Sequence, residues 1–140
     1  MRPRCTLYNA HVKIEHVALH VDDPVGFARW YVEHLGMAVT RAQAAPPFGH
    51  FLADDAGAVM IEVYRNTVVP VPDYRSMNPL TLHLAFYAGD VDRERARLLA
   101  AGATAEGGVQ QNDAGDTLAM LRDPWGIALQ LVHRAAPMID

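Results

Sequence analysis

Four polar side chains stand in runs that otherwise read as buried strand: His16 in IEHVALHV, Glu62 in AVMIEVY, His83 in LTLHLAFY and Gln130 in GIALQLVH. A carboxylate taken out of water without a partner costs several kcal/mol, so Glu62 within AVMIEVY calls for a cation or strong donors beside it. The spacing repeats. His16 and Glu62 lie 46 residues apart, His83 and Gln130 lie 47 apart, so equivalent strands would bring the two pairs to similar heights and allow all four to converge. Two imidazoles and a carboxylate suit one borderline divalent ion such as Zn²⁺, Ni²⁺, Fe²⁺ or Mn²⁺, and the mixture does not choose among them. Such an ion would act on a bound substrate as a Lewis acid. Glu62, the only carboxylate of the set, would then have to serve as general base. The alternative for the same residues is two satisfied core histidines, with Glu62 and Gln130 on solvent faces.

The elements that must position them also come twice. With His16 laid on His83, an offset of 67, Asp23 falls on Asp90, Gly36 near Gly102, and the stretch from Gly57 to Glu62 beside that from Gly126 to Gln130. Each copy opens with an apolar run, Ile14 to Val21 and Leu80 to Tyr87, that suits a buried strand. Asp23 followed by Pro24 offers a helix cap with proline at the first helical position. Phe27, Trp30, Tyr31 and Leu35 then recur at helical spacing up to Gly36. Asp90 caps a shorter helix whose Val91, Leu98 and Leu99 face inward, with Gly102 as its stop. Strands follow over Ala38 to Gln43, His50 to Ala53 and Val59 to Tyr64, and again over Thr104 to Glu106, Thr117 to Arg122 and Ala128 to His133. The turns Asp54-Asp55-Ala56-Gly57 and Asp123-Pro124-Trp125-Gly126 separate the last two of each set.

The pattern predicts an α+β fold of two tandem βαβββ modules, with eight strands in an open, cup-shaped, barrel-like sheet and the helices outside. A polar leader (1–11) precedes a single domain (12–134), in which module one (12–64) joins module two (80–134) through a proline-bearing connector (65–79). A short tail (135–140) follows.

With 140 residues, about half of them hydrophobic, the chain suits one core and not two. A net charge of −4 without any Lys/Arg cluster speaks against nucleic acid as a partner. No apolar run approaches the ~20 residues of a membrane span, and residues 1–10 lack the apolar stretch of a signal peptide, so a cytoplasmic protein is expected. Cys5, the only cysteine, excludes an intrachain disulfide and is taken as incidental.

The segment HVALHVDDPVGFARWYVEHLGM resembles the opening of glyoxalase/bleomycin-resistance/dioxygenase proteins, the vicinal oxygen chelate superfamily, and LRDPWGIALQLV resembles their closing strand. The resemblance runs from Val12 to His133. It implies metal ligands on the first and last strands of each copy, which fall on His16, Glu62, His83 and Gln130. The last departs from the glutamate usual there. The resemblance is closest in pattern to glyoxalase I, because Asn66 stands four residues after Glu62, like an asparagine that contacts glutathione. His20, four after His16, replaces an arginine common in bacterial members.

Three activities stay open: a metal-dependent glyoxalase-like isomerase or lyase acting on a small compound with vicinal oxygens, a metal-free binder conferring resistance by sequestration, and an extradiol-type dioxygenase. The dioxygenase is least favoured, since it would need a glutamate at position 130. His50, Phe51, Met120 and Trp125 are candidate pocket residues, although Phe51 and Met120 also suit a core and Trp125 a packed turn. His34 and His133 are read as surface residues. An open cup further implies pairing with a second copy as a homodimer.

Overall fold

The computed structural model describes residues 11–139, so Cys5 and most of the leader lie outside the described residues. Module one runs β1 (His16–His20), α1 (Pro24–Leu35), β2 (Ala38–Ala42), β3 (His50–Ala53) and β4 (Met60–Tyr64). Module two runs β5 (Leu84–Tyr87), α2 (Val91–Ala100), β6 (Thr104–Gln111), β7 (Thr117–Arg122) and β8 (Ala128–His133). The βαβββ order holds in both copies. Each forms its own four-stranded sheet, β1-β4-β3-β2 and β5-β8-β7-β6, whose first and last strands pair in parallel while the others run antiparallel. The eight strands therefore divide into two open sheets within the chain.

Local chemistry explains the helices. The Asp23 side chain accepts the Gly26 N–H at 2.9 Å and Pro24 occupies the first turn. A Cβ on Gly26 would stand 2.2 Å from an Asp23 carboxylate oxygen, so the cap needs glycine there. Gly36 ends α1 in the left-handed conformation, φ 66°. Asp90 caps α2 by accepting the Arg93 N–H at 3.0 Å. The predicted stop at Gly102 falls one residue late, because Ala101 caps the helix and Gly102, at φ 110°, turns the chain into β6.

Strand boundaries shift by one residue at the ends of β1 and β2 and the start of β4, and by more at three others. β1 and β5 begin at His16 and Leu84, later than Ile14 and Leu80; in module two, Asn78 to Thr81 instead form a turn closed by a Thr81 N–H to Asn78 carbonyl bond. β6 runs on to Gln111 because a register shift between Glu106 and Val109, at Gly107-Gly108, lets the strand continue past two glycines that read as a breaker. The connector contains a single 3-10 turn, Tyr74–Ser76.

One core joins the modules. Leu19, Leu52 and Val63 of the first sheet, Val21 just after β1, Leu121, Leu129 and Leu131 of the second sheet, Phe27 and Tyr31 of α1 and Leu98 of α2 belong to one buried cluster. Helix α1 also reaches across: the Trp30 indole N–H donates to the Ala101 carbonyl at 2.9 Å, Tyr31 donates to Asp123 at 2.7 Å, and Phe27 lies 5.5 Å from Trp125. Side chains alternate along a strand. The face opposite the core therefore carries His16, Ala18 and His20 on β1, Met60, Glu62 and Tyr64 on β4, and Gln130 on β8, pointing away from the shared core. Among the described residues, no helix is long and apolar enough to cross a membrane.

Candidate functional site

On the outer face of the first sheet, β1 and β4 lie side by side with His16 opposite Met60 and Ala18 opposite Glu62. The His16 Nε2 comes within 3.3 Å of a Glu62 carboxylate oxygen, and its Nδ1 within 3.3 Å of Glu15. Glu62 is thus partly open to solvent, 23% by side chain, and borders a donor. Phe51, on β3 opposite Glu62, meets the His16 ring edge-on at 5.6 Å. Glu15, His16, Thr40, Arg41, Phe51 and Met60 line a cavity of about 430 Å³.

The second sheet repeats the plan with different chemistry. His83 immediately precedes β5, and its Nδ1 lies 2.9 Å from the Pro79 carbonyl. A carbonyl only accepts, so Nδ1 carries the proton and the Nε2 lone pair is left free for another partner. Gln130 faces Met120 across β7 and Glu106 beyond it on β6. These three, with Asn78, Leu118 and Gln110, border a cavity of about 350 Å³.

The sequence-predicted residues are therefore placed in two groups. His16, Glu62 and Phe51 come together on one sheet, Met120 and Gln130 on the other. Phe51 and Met120 are not core residues: both are half-buried, because strand alternation turns them to the outer face. Trp125 borders neither cavity; its ring packs against Phe27 and Trp30 where the modules meet. His50 holds the Phe48 carbonyl through Nδ1 at 2.7 Å. The Asn66 N–H donates to His20 Nε2 at 2.9 Å and its side-chain oxygen accepts from Val68, so this asparagine is engaged in its own loop. His34 and His133, read as surface residues, are half-buried: one ring packs on Trp30, the other lies 3.2 Å from the Ala88 carbonyl. Among the described residues, no three His, Cys, Asp or Glu side chains within one chain gather closely enough to hold a metal ion.

Other polar groups were missed in the sequence. Arg122 is buried, pairs with Glu106 and donates to the carbonyls of Tyr74, Met77 and Gly126, so it straps the connector to the second sheet. An arginine at a strand end in LRDPWG gives no sign of this, because its partners are backbone groups distant in sequence. Asp123 is fully buried. Its desolvation pushes the carboxyl up to about 6, against the bonds it accepts from Tyr31, Ile127 and Trp125. The same burial, with Asp123 adjacent, holds the Tyr31 phenol well above its ordinary range.

The model of a glyoxalase-like domain matches residues 16–132. No curated protein matches the chain. Among solved structures, the chain is similar to SMU.1112c, at 30% identity over 88% of this chain and 99% of that one, TM-score 0.68. It shares its fold with TnmS3, an antibiotic binding protein from Streptomyces sp. CB03234 (19% identity, 91% and 100% covered, TM-score 0.68), and with a glyoxalase family protein from Bacillus cereus (19%, 94% and 99%, TM-score 0.69).

Proposed function

The chain belongs to the glyoxalase-like domain family, and from that premise we propose that it is a metal-dependent isomerase or lyase acting on a small substrate with vicinal oxygens, at a site completed between two copies of the chain. The observation that carries this reading is the repeated half-site: His16 beside Glu62 on one outer face, and on the other His83, with an oriented, free Nε2, two residues before Ala85, which pairs with Gln130. Because both faces point away from the shared core, the halves meet only if the first sheet of one copy faces the second sheet of another. The strand edges are suited to that. β1 and β5 each have one strand neighbour, and Val17, Leu80 and Tyr87 at or near these edges are 47%, 83% and 71% exposed.

The donor set fits a divalent ion: two imidazole nitrogens and a carboxylate, with a neutral amide oxygen from Gln130. A bound ion would supply Lewis-acid polarisation of the substrate's neighbouring oxygens. The remaining work falls to the chain. Glu62 takes a proton from the substrate carbon and returns it to the neighbouring one, the His16 Nε2 holding its carboxylate in place beforehand. Phe51 walls the site on the first sheet and Met120 on the second. The Asn66 backbone N–H is held by His20 and its side-chain oxygen by Val68, which ties Asn66 to its own loop and favours a substrate other than a glutathione adduct.

The second reading, a binder that sequesters its ligand without a metal, is favoured by the amide at Gln130 and by the likeness in fold to an antibiotic binding protein. Titrating purified protein with Zn²⁺ and Ni²⁺ in a calorimeter separates the two. About one ion per chain, lost in both His16→Ala and His83→Ala, is expected. No binding by the unmutated protein would leave the binder as the function.

A further inference from the structure

We propose that Arg41 forms an anion subsite beside the His16/Glu62 half-site, selecting substrates that carry a carboxylate at the end remote from their vicinal oxygens. This deepens the reading above and rests on its placing the reacting oxygens at His16 and Glu62. Arg41 lies in β2, directly across from Phe51, which lies across from Glu62, so the three form one row over the outer face. Pairing between β2 and β3 shifts register between Val39 and Arg41. A bulge of this kind re-aims side chains, and here it brings both Thr40 and Arg41 to the rim of one cavity.

The guanidinium is held without being neutralised. Its central carbon sits 6.0 Å from the centroid of the Phe51 ring, whose other neighbour is His16 at 5.6 Å. Cation and imidazole are therefore at most about 12 Å apart, a distance a small aromatic or short-chain acid can bridge. Among the described residues, Arg41 has neither a hydrogen bond nor an ion pair. Glu15 of the cavity wall and Glu62, next to His16, both lie 3.3 Å from the His16 ring nitrogens. A planar fork with five donors matches a carboxylate in bidentate fashion. The second sheet has nothing equivalent: its own bulge presents Glu106, already paired with Arg122, in a cavity otherwise of amides and apolar groups. The assembled site is consequently asymmetric, with one open cation at one end.

The simpler role for an arginine on an edge strand is to discourage edge-to-edge association. That role predicts effects on aggregation and none on ligand charge, which defines the test. 3,4-Dihydroxybenzoate and its amide, 3,4-dihydroxybenzamide, have the same shape and the same adjacent oxygens but differ by one charge. Both are titrated calorimetrically into the full chain, with and without Zn²⁺, for the unmutated protein, Arg41→Gln and Arg41→Lys. The acid should bind at least ~10-fold more tightly than the amide, Arg41→Gln should abolish that preference without weakening the amide, and Arg41→Lys should keep part of it. Equal binding of acid and amide, a preference that survives Arg41→Gln, or no binding of either probe overturns the subsite. If Zn²⁺ fails to bind while the acid is still preferred, the metal reading falls and the subsite stands. If Zn²⁺ binds without charge preference, the reverse holds.

Discussion

In the proposed function the chemistry turns on one carboxylate with two duties. Glu62 lies 3.3 Å from His16 on the outer face of β4, where it can serve the ion as ligand and the substrate as base. Glu62→Gln keeps an oxygen donor of nearly the same shape but cannot accept a proton at neutral pH. With a methylglyoxal–thiol adduct or a comparable α-hydroxycarbonyl as substrate, kcat should fall by roughly 10²–10⁴-fold while the ion is retained, the range expected for a lost general base. Turnover close to the original rate in an ion-loaded variant would move the base elsewhere, His50 being the next imidazole with a free nitrogen. Gln130 asks the complementary question. Restoring a carboxylate there, Gln130→Glu, should tighten binding of the dication, because an added anion in a partly buried site strengthens its attraction. An affinity that stays the same or weakens would put position 130 outside the ligand set.

At the scale of elements, helix α1 is fastened to module two through Asp123. The turn Asp123-Pro124-Trp125-Gly126 was legible as a turn, and the Asp23 and Asp90 caps were legible because proline, short polar residues and apolar spacing act locally. That the first residue of the turn would be the fully buried partner of Tyr31 was not legible, since the two are 92 residues apart in sequence. The consequence is a pH dependence with a definite sign. A carboxyl raised from 3.8 to about 6 on folding binds its proton more tightly in the folded chain. Between those values the folded state holds more protons than the unfolded one, so this group makes the protein more stable as pH falls from 7 towards 4. The gain approaches about 3 kcal/mol by the usual 1.36 kcal/mol per pH unit. Asp123→Asn keeps the acceptor for the Trp125 and Ile127 N–H groups and turns an amide towards the Tyr31 hydroxyl, which can accept. Urea unfolding at pH 7 and pH 5 should show the unmutated protein gaining on the variant at the lower pH, with the histidines common to both cancelling. A constant difference between the two proteins would refute the assignment.

At the scale of the molecule, the repeat was readable because each module satisfies its own backbone, and alternation then sorted the inner strands into core and outer faces. The relation between the modules was not readable. Periodicity says which side chains share a face, but not which way two such faces point, and that depends on Phe27, Trp30 and Tyr31 packing across to Trp125, Ala101 and Asp123. Those contacts turn the two outer faces away from the shared core, which is why a sequence pattern that promises convergence yields two separate cavities in one chain. A mixing experiment tests whether a second copy reunites them. Let His16→Ala and His83→Ala each abolish ion binding as homodimers. In a two-fold dimer whose sites each take the first sheet from one copy and the second sheet from its partner, a mixed dimer contains one site with both substitutions and one with neither. Random reassortment makes about half of the dimers mixed, and half of their sites intact. Denaturing and refolding the two variants together should therefore restore about one quarter of the unmutated ion-binding capacity, although neither variant binds alone. If each site were built within a single chain, every site in the mixture would carry one substitution, and the capacity would stay at zero.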